Sequence, residues 1–172
     1  MAERKGAITL HGNPLTLSGE NVGAGDKAPD FVALDNDLLP VSFSSFKGKI
    51  CILCSVPSLD TPVCDVETRR FNHEAAALGD DVAVVAISVD LPFAQKRWCG
   101  AAGVRNVTVL SDYRDVSFGT AYGVLIKELR LLARTIFVID RDGVVRYVQL
   151  VKEVSSEPDY GAVLEAVKKL LN

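Results

Sequence analysis

The sequence predicts an α/β protein with a central mixed sheet flanked by helices and a β-hairpin near its start. Three observations carry that prediction. Two continuous apolar runs, Ile50–Val56 and Val82–Val89, suit central strands covered on both faces. Each is followed by a helix-start signal with proline in the first turn, at Thr61-Pro62 and at Pro92. A third run, Thr135–Ile139, leads through Asp140-Arg141-Asp142-Gly143 to Val144–Leu150, the pattern of an antiparallel hairpin. Alternating strands and helices make parallel neighbours, and the late hairpin makes the sheet mixed.

Taken in order, the chain opens with two alternating stretches, Ala7–Leu10 and Leu15–Ser18, around a turn at Gly12-Asn13-Pro14. The Gly-rich loop Gly23–Asp26 precedes the first central strand, Ile50–Val56, which Pro57 ends. Thr61 then suits an N-cap, Pro62 the first helical position, and Asp65 and Glu67 the positive end of the dipole. Val63, Val66, Phe71, Ala75 and Leu78 read as that helix's apolar stripe, and Gly79 stops it. After the strand Val82–Val89, a second helix runs from Pro92 to the region of Gly100–Gly103. Val107–Leu110 reads as a short strand and Asp115–Tyr122 as a short helix. Past the late hairpin, Pro158 starts a final helix with Tyr160, Val163, Leu164, Val167 and Leu171 at helical spacing. No linker or repeat divides residues 1–172, so one domain is expected, with residues 7–18 as a hairpin extension.

The balance of 19 Lys+Arg against 22 Asp+Glu, with no basic cluster, argues against nucleic acid or an anionic membrane as partner. Four cysteines are too sparse for a disulfide-stapled secreted scaffold. No apolar stretch of signal-peptide length follows the charges in Met1–Thr9, and no run approaches the ~20 residues that span a bilayer. The expectation is a cytosolic protein in which each cysteine is either inert core or redox-active.

Cys51 and Cys54 form a C-x-x-C, the spacing of a redox dithiol or half a zinc site. Both fall inside an apolar strand, where residues i and i+3 face opposite ways about 10 Å apart. A disulfide needs Cα atoms within about 7 Å, and His11 and His73 supply no zinc-spaced partner pair. They read as core. Cys64 differs, because with Thr61 as N-cap it occupies the third helical position. There the unpaired amides and the macrodipole favour a thiolate. The Thr61 hydroxyl could accept from those amides or contact a substrate over the sulfur. A small core residue on an amphipathic helix is the competing reading of Cys64.

The arrangement Pro57-x-x-x-Thr61-x-x-Cys64 resembles the signature of the peroxiredoxins. Pro57–Asn72, Ile87–Gly100, Ala121–Val124, Glu157–Tyr160 and the hairpin with His11-Gly12-Asn13-Pro14 are similar to the bacterial thiol peroxidase branch. The resemblance implies a thioredoxin-like fold with Cys64 as peroxidatic cysteine. It further implies Cys99 as resolving cysteine in the same chain, Arg134 as the substrate-orienting arginine, and Thr61 and Pro57 as shapers of the site. The implied reaction reduces hydrogen peroxide and organic hydroperoxides, with antioxidant defence as its use. A Cys64 sulfenic acid would condense to a Cys64–Cys99 disulfide, which thioredoxin recycles. A homodimer is implied too, and no cofactor, since sulfur carries the redox change. Because the two cysteines are expected on separate helices, their meeting requires one helix end to unwind. From its residues alone, Arg134 reads rather as a surface ion-pair partner of Asp60 or Glu67. Two other functions stay open on the sequence: a thiol–disulfide oxidoreductase working through Cys51 and Cys54, and a non-enzymatic redox sensor switched by Cys64 and Cys99.

Overall fold

The computed structural model describes residues 1–172. Strands β1 (Glu3–Leu10) and β2 (Asn13–Ser18) form the hairpin, and β3 (Val32–Leu34) and β4 (Pro40–Ser42) a short second one. The alternating part follows as β5 (Ile50–Ser55), α1 (Pro62–Leu78), β6 (Val82–Ser88), α2 (Pro92–Ala102) and β7 (Thr108–Ser111). Then come α3 (Ser117–Ala121), β8 (Leu125–Ile126), β9 (Leu131–Leu132), β10 (Thr135–Ile139), β11 (Val145–Leu150) and α4 (Tyr160–Leu171).

The main sheet has seven strands in the order β11-β10-β5-β6-β7-β3-β4. β5, β6 and β7 run parallel, and the other pairings are antiparallel. Every residue of β5 is buried, as its unbroken apolar run requires of a strand with helices on one face and more structure on the other. On one face Ile50, Ile52 and Cys54 pack with Phe71 of α1 and Val163 and Val167 of α4. On the other, Cys51 and Leu53 join Phe118, Tyr122 and Phe137 and the apolar side of a four-stranded sheet, β1-β2-β8-β9. No helix is long and apolar enough to cross a membrane.

The hairpin extends further than its alternation predicts. β1 starts at Glu3 because a register shift between Arg4 and Ile8, with Gly6 at φ +64°, breaks the period of two. Its turn is His11-Gly12, both at positive φ, and Asn13 and Pro14 already belong to β2. The hairpin closes onto the body where a Cβ on Gly123 would stand 2.1 Å from the Glu20 carbonyl oxygen. That approach, at φ +65°, admits only glycine.

Helix α1 keeps Phe71, Ala75 and Leu78 of the predicted stripe against the core but corrects its first turns. Its buried residues are Cys64, Glu67, Thr68 and Phe71, whereas Val66 is 49% exposed. The spacing 64, 67, 68, 71 is a regular helix face, but two of its four members are polar and hide it from a hydrophobicity count. Two of the expected helices need trimming: α3 spans Ser117–Ala121, and α4 begins at Tyr160 with Asp159 as N-cap, its carboxylate accepting from Ala162 N at 3.0 Å.

Candidate active site

The C-terminal ends of β5 and β6 turn into loops that meet just before the N-terminus of α1. Pro57 ends β5 and the chain crosses Ser58–Thr61 before Pro62 opens the helix. Asp90, in the loop after β6, braces that crossing. Its carboxylate accepts from Ser58 Oγ at 2.6 Å, Leu59 N at 2.8 Å and Ser88 Oγ at 2.7 Å. Thr61 is the N-cap by backbone, with extended φ and ψ, but its side chain caps nothing. Its hydroxyl donates instead to the Ser58 carbonyl at 2.9 Å, which leaves the oxygen lone pairs free to accept.

Cys64 stands at the third position of α1 and is fully buried. Arg134, in the segment between β9 and β10, reaches it from below: Nη2 lies 3.3 Å from Sγ. The guanidinium is itself 2% exposed, and each of its nitrogens has a partner. Nη1 pairs with the Glu67 carboxylate, and Nε and Nη2 donate to the Val154 carbonyl at 3.2 and 3.0 Å. Glu67 is one helical turn beyond Cys64 and wholly buried, and its second oxygen has no partner. Burial pushes the Glu67 carboxyl up to about 7, the Arg134 charge pulling it back only in part. Arg134 and the first-turn amides of α1 place positive potential on one side of the sulfur. So both sequence readings of Arg134 meet: it faces Cys64, and it does pair with Glu67, though in the core rather than on the surface.

Beside this group opens a cleft of ≈ 420 Å³, with Pro57, Thr61, Pro62, Val63 and Arg134 along one side. Leu10, Ile126, Leu129 and Leu131 give it an apolar wall, and His11 and Ser155 stand at its edge.

Cys99 is half-buried near the end of α2, and all four thiols are free. Burial raises its thiol, a hydrogen bond with the Asn36 side chain acting against the rise. Its helix is tied to α1 by its neighbours. Trp98 Nε1 donates to Asp65 at 2.8 Å, Arg69 Nη1 donates to the Ala102 carbonyl at 3.3 Å, and the Arg69 guanidinium lies 5.8 Å from the Trp98 ring centroid. Gly103 ends α2 in the left-handed conformation. Cys51 and Cys54 lie in opposite faces of the main sheet, and burial lifts both thiols, Cys51 to about 12. The strand geometry thus removes the reading of C-x-x-C as a dithiol.

Sequence reasoning missed Glu67 as a core residue, Val154 and Asp90. The first carries a weak signal, an acidic residue three positions after a cysteine on the same helix face. The others act through contacts that no local spacing encodes.

A family model described as Redoxin matches residues 23–164. Thiol peroxidases of Halalkalibacterium halodurans and Bacillus subtilis are each 56% identical to the chain, covering 96% and 95% of it and 99% and 98% of their own length. Among solved structures, a peroxiredoxin-like protein from Aquifex aeolicus superposes with TM-score 0.89 at 45% identity, over 95% of this chain and 96% of that one. A thiol peroxidase from Chromobacterium violaceum, at 22% identity and TM-score 0.84, covers 94% and 95% and bears on the fold alone.

Proposed function

The chain belongs to the Redoxin family, in the thiol peroxidase branch of the peroxiredoxins, and from that membership we propose that Cys64 is its peroxidatic cysteine and Cys99 its resolving one. The enzyme is a thiol-dependent peroxidase with a thioredoxin-like fold. The observation that carries the residue assignment is the Arg134 guanidinium on Cys64 Sγ at the start of a helix.

The Cys64 thiolate attacks the terminal oxygen of a hydroperoxide, the O–O bond breaks, and the remaining oxygen leaves as an alkoxide that takes up a proton. Cys64 is oxidised to sulfenic acid, and the peroxide is reduced to an alcohol or water. Negative charge moves from sulfur to the departing oxygen, so a donor must serve both. Arg134 does so because its charge is permanent and its fork is fixed by Glu67 and Val154. The Thr61 hydroxyl, pinned by its donation to Ser58, accepts from the hydroperoxide O–H and turns the terminal oxygen toward Sγ. Pro57 and Pro62 shape the cleft beside them. The apolar wall of Leu10, Ile126, Leu129 and Leu131 suits the carbon chain of an organic hydroperoxide.

Cys99 then attacks the sulfenic sulfur, forming the Cys64–Cys99 disulfide and releasing water, which outpaces over-oxidation to sulfinic acid. The Trp98–Asp65 and Arg69–Ala102 ties hold the end of α2 in its helical position and must open for Cys99 to reach Cys64. A dithiol protein of the thioredoxin type reduces the disulfide and restores both thiols. Family membership also supports a homodimer, antioxidant service in the cytosol, and a single domain over residues 1–172 with the hairpin as its extension.

Because Trp98 adjoins Cys99 and contacts α1, its fluorescence follows the cycle. It changes on addition of hydroperoxide, recovers with thioredoxin and its reductase, and stays constant in Cys64→Ser. A full response in Cys64→Ser defeats the assignment.

A further inference from the structure

The aim of Arg134 depends on one backbone carbonyl. Val154 O receives both Nε and Nη2, and Nη2 is the atom that also reaches Cys64. Val154 follows the end of β11 in a stretch outside any helix or strand, so its position must be fixed from elsewhere.

It is fixed by the N-terminal hairpin. Thr9 N donates to Lys152 O at 2.7 Å, and Val154 N donates to Thr9 O at 2.9 Å. Two bonds to a single residue form a pivot. The Glu153 side chain stops its rotation by accepting from Thr9 Oγ1 at 2.6 Å, His11 N at 2.9 Å, Gly12 N at 3.3 Å and Ser155 Oγ at 2.8 Å. The two turn amides converge on the carboxylate because His11 and Gly12 both adopt positive φ. These donors hold the carboxyl at about 2, so the clasp is charged throughout the working pH range. Leu10, His11, Val154 and Ser155, on both sides of the clasp, also line the cleft.

We propose that Glu153 is a positioning residue of the peroxidase reaction: by clasping the hairpin turn it sets the Val154 carbonyl, and through it the direction of the Arg134 guanidinium. The proposal rests on the reading of Arg134 as the donor to the reacting oxygens. It gives the hairpin a part in the chemistry, and it places the lever ten residues or more from every motif residue of the site.

Two rates measured on the full chain in a Cys99→Ser background test it. One is oxidation of Cys64 by cumene hydroperoxide, trapped with dimedone; the other is alkylation of Cys64 by iodoacetamide, both read by mass spectrometry. Misdirecting Arg134 slows oxidation, which needs the leaving oxygen held, more than alkylation, which does not. Glu153→Ala is expected to lower the oxidation rate on the order of tenfold to a hundredfold, the scale of a misplaced catalytic group. Alkylation should fall by less than about threefold, and Glu153→Gln, which keeps an acceptor oxygen for one of the two turn amides, should recover part of the oxidation rate. A merely structural clasp gives a different signature, since loosening the fold uncovers buried Cys64 and speeds alkylation. Faster alkylation, no rescue by glutamine, or an oxidation rate equal to the parent's each overturns the proposal. If Glu153→Ala does not fold, Thr9→Val, which removes one donor, decides by the same comparison. Arg134→Met in the same assay separates the two levels. If it is oxidised at the parental rate, the reading of Arg134 itself fails; if it is slow while Glu153→Ala is fast, only the clasp fails.

Discussion

Replacing Arg134 with methionine gives a stability change whose pH dependence follows from the burial of Glu67. Methionine fills the space of the stem but donates nothing, so the Val154 carbonyl loses both its guanidinium donors and Glu67 loses its counter-charge. At pH 6 the Glu67 carboxyl, raised to about 7 from an ordinary 4.5, is mostly protonated in the parent and more so in the variant. The cost there is chiefly the stranded carbonyl, about 1–3 kcal/mol. A carboxyl raised on folding binds its proton more tightly in the native state. Its contribution is therefore complete below the unfolded value and is lost as pH rises through the folded one. The parent completes that loss near pH 7, where the ion pair takes over. The variant, with no guanidinium, keeps its proton and goes on losing about 1.4 kcal/mol per pH unit. By pH 8.5 the gap between the two should be about 2 kcal/mol wider, and in total about 3–5 kcal/mol, the usual cost of stranding one partner of a buried pair. Urea unfolding of the reduced proteins at pH 6 and pH 8.5, followed by circular dichroism, measures both gaps. A gap that is constant or narrows with pH refutes the reasoning.

Further outcomes follow from the same contacts. Cys99→Ser should reduce one equivalent of hydroperoxide and then stop with thioredoxin and its reductase, whereas sustained cycling would assign resolution to another thiol. Asp90→Ala removes three hydrogen bonds, two of which brace Ser58 and Leu59 and one Ser88, and about 1 kcal/mol each predicts a midpoint lowered by about 6–12 °C and slower Cys64 oxidation by stopped flow. An unchanged oxidation rate would show that the brace does not set the peroxide site. The double variant Cys51→Ala/Cys54→Ala should keep steady-state cycling within about twofold of the parent while losing stability as two small apolar groups are trimmed; lost cycling with intact folding would give those thiols a redox part.

What the sequence disclosed was local. Proline at the first helical position and threonine before it located the start of α1, and with it Cys64. Period-two geometry sent Cys51 and Cys54 to opposite faces, where they are found. The short strands β3, β4, β8 and β9 left no periodic trace, because two or three residues cannot establish one. The functional face of α1 was obscured for a physical reason. Its buried residues include Glu67 and Thr68, and a buried carboxylate is tolerable only because Arg134, 67 positions away, completes it. Sequence proximity cannot reveal that partnership, nor the clasp of Glu153 on a turn 142 positions away. Cys99 could be named only from the family resemblance, since position on α2 marks no cysteine as reactive.

The central claim is that peroxide joins Cys64 to Cys99, two residues on separate helices. A peptide map run without reductant, after one equivalent of hydroperoxide, tests it most directly. It should yield a single linked pair, Cys64 with Cys99, and leave Cys51 and Cys54 as free thiols. A linked peptide containing Cys51 or Cys54, or none containing Cys64, would contradict the account.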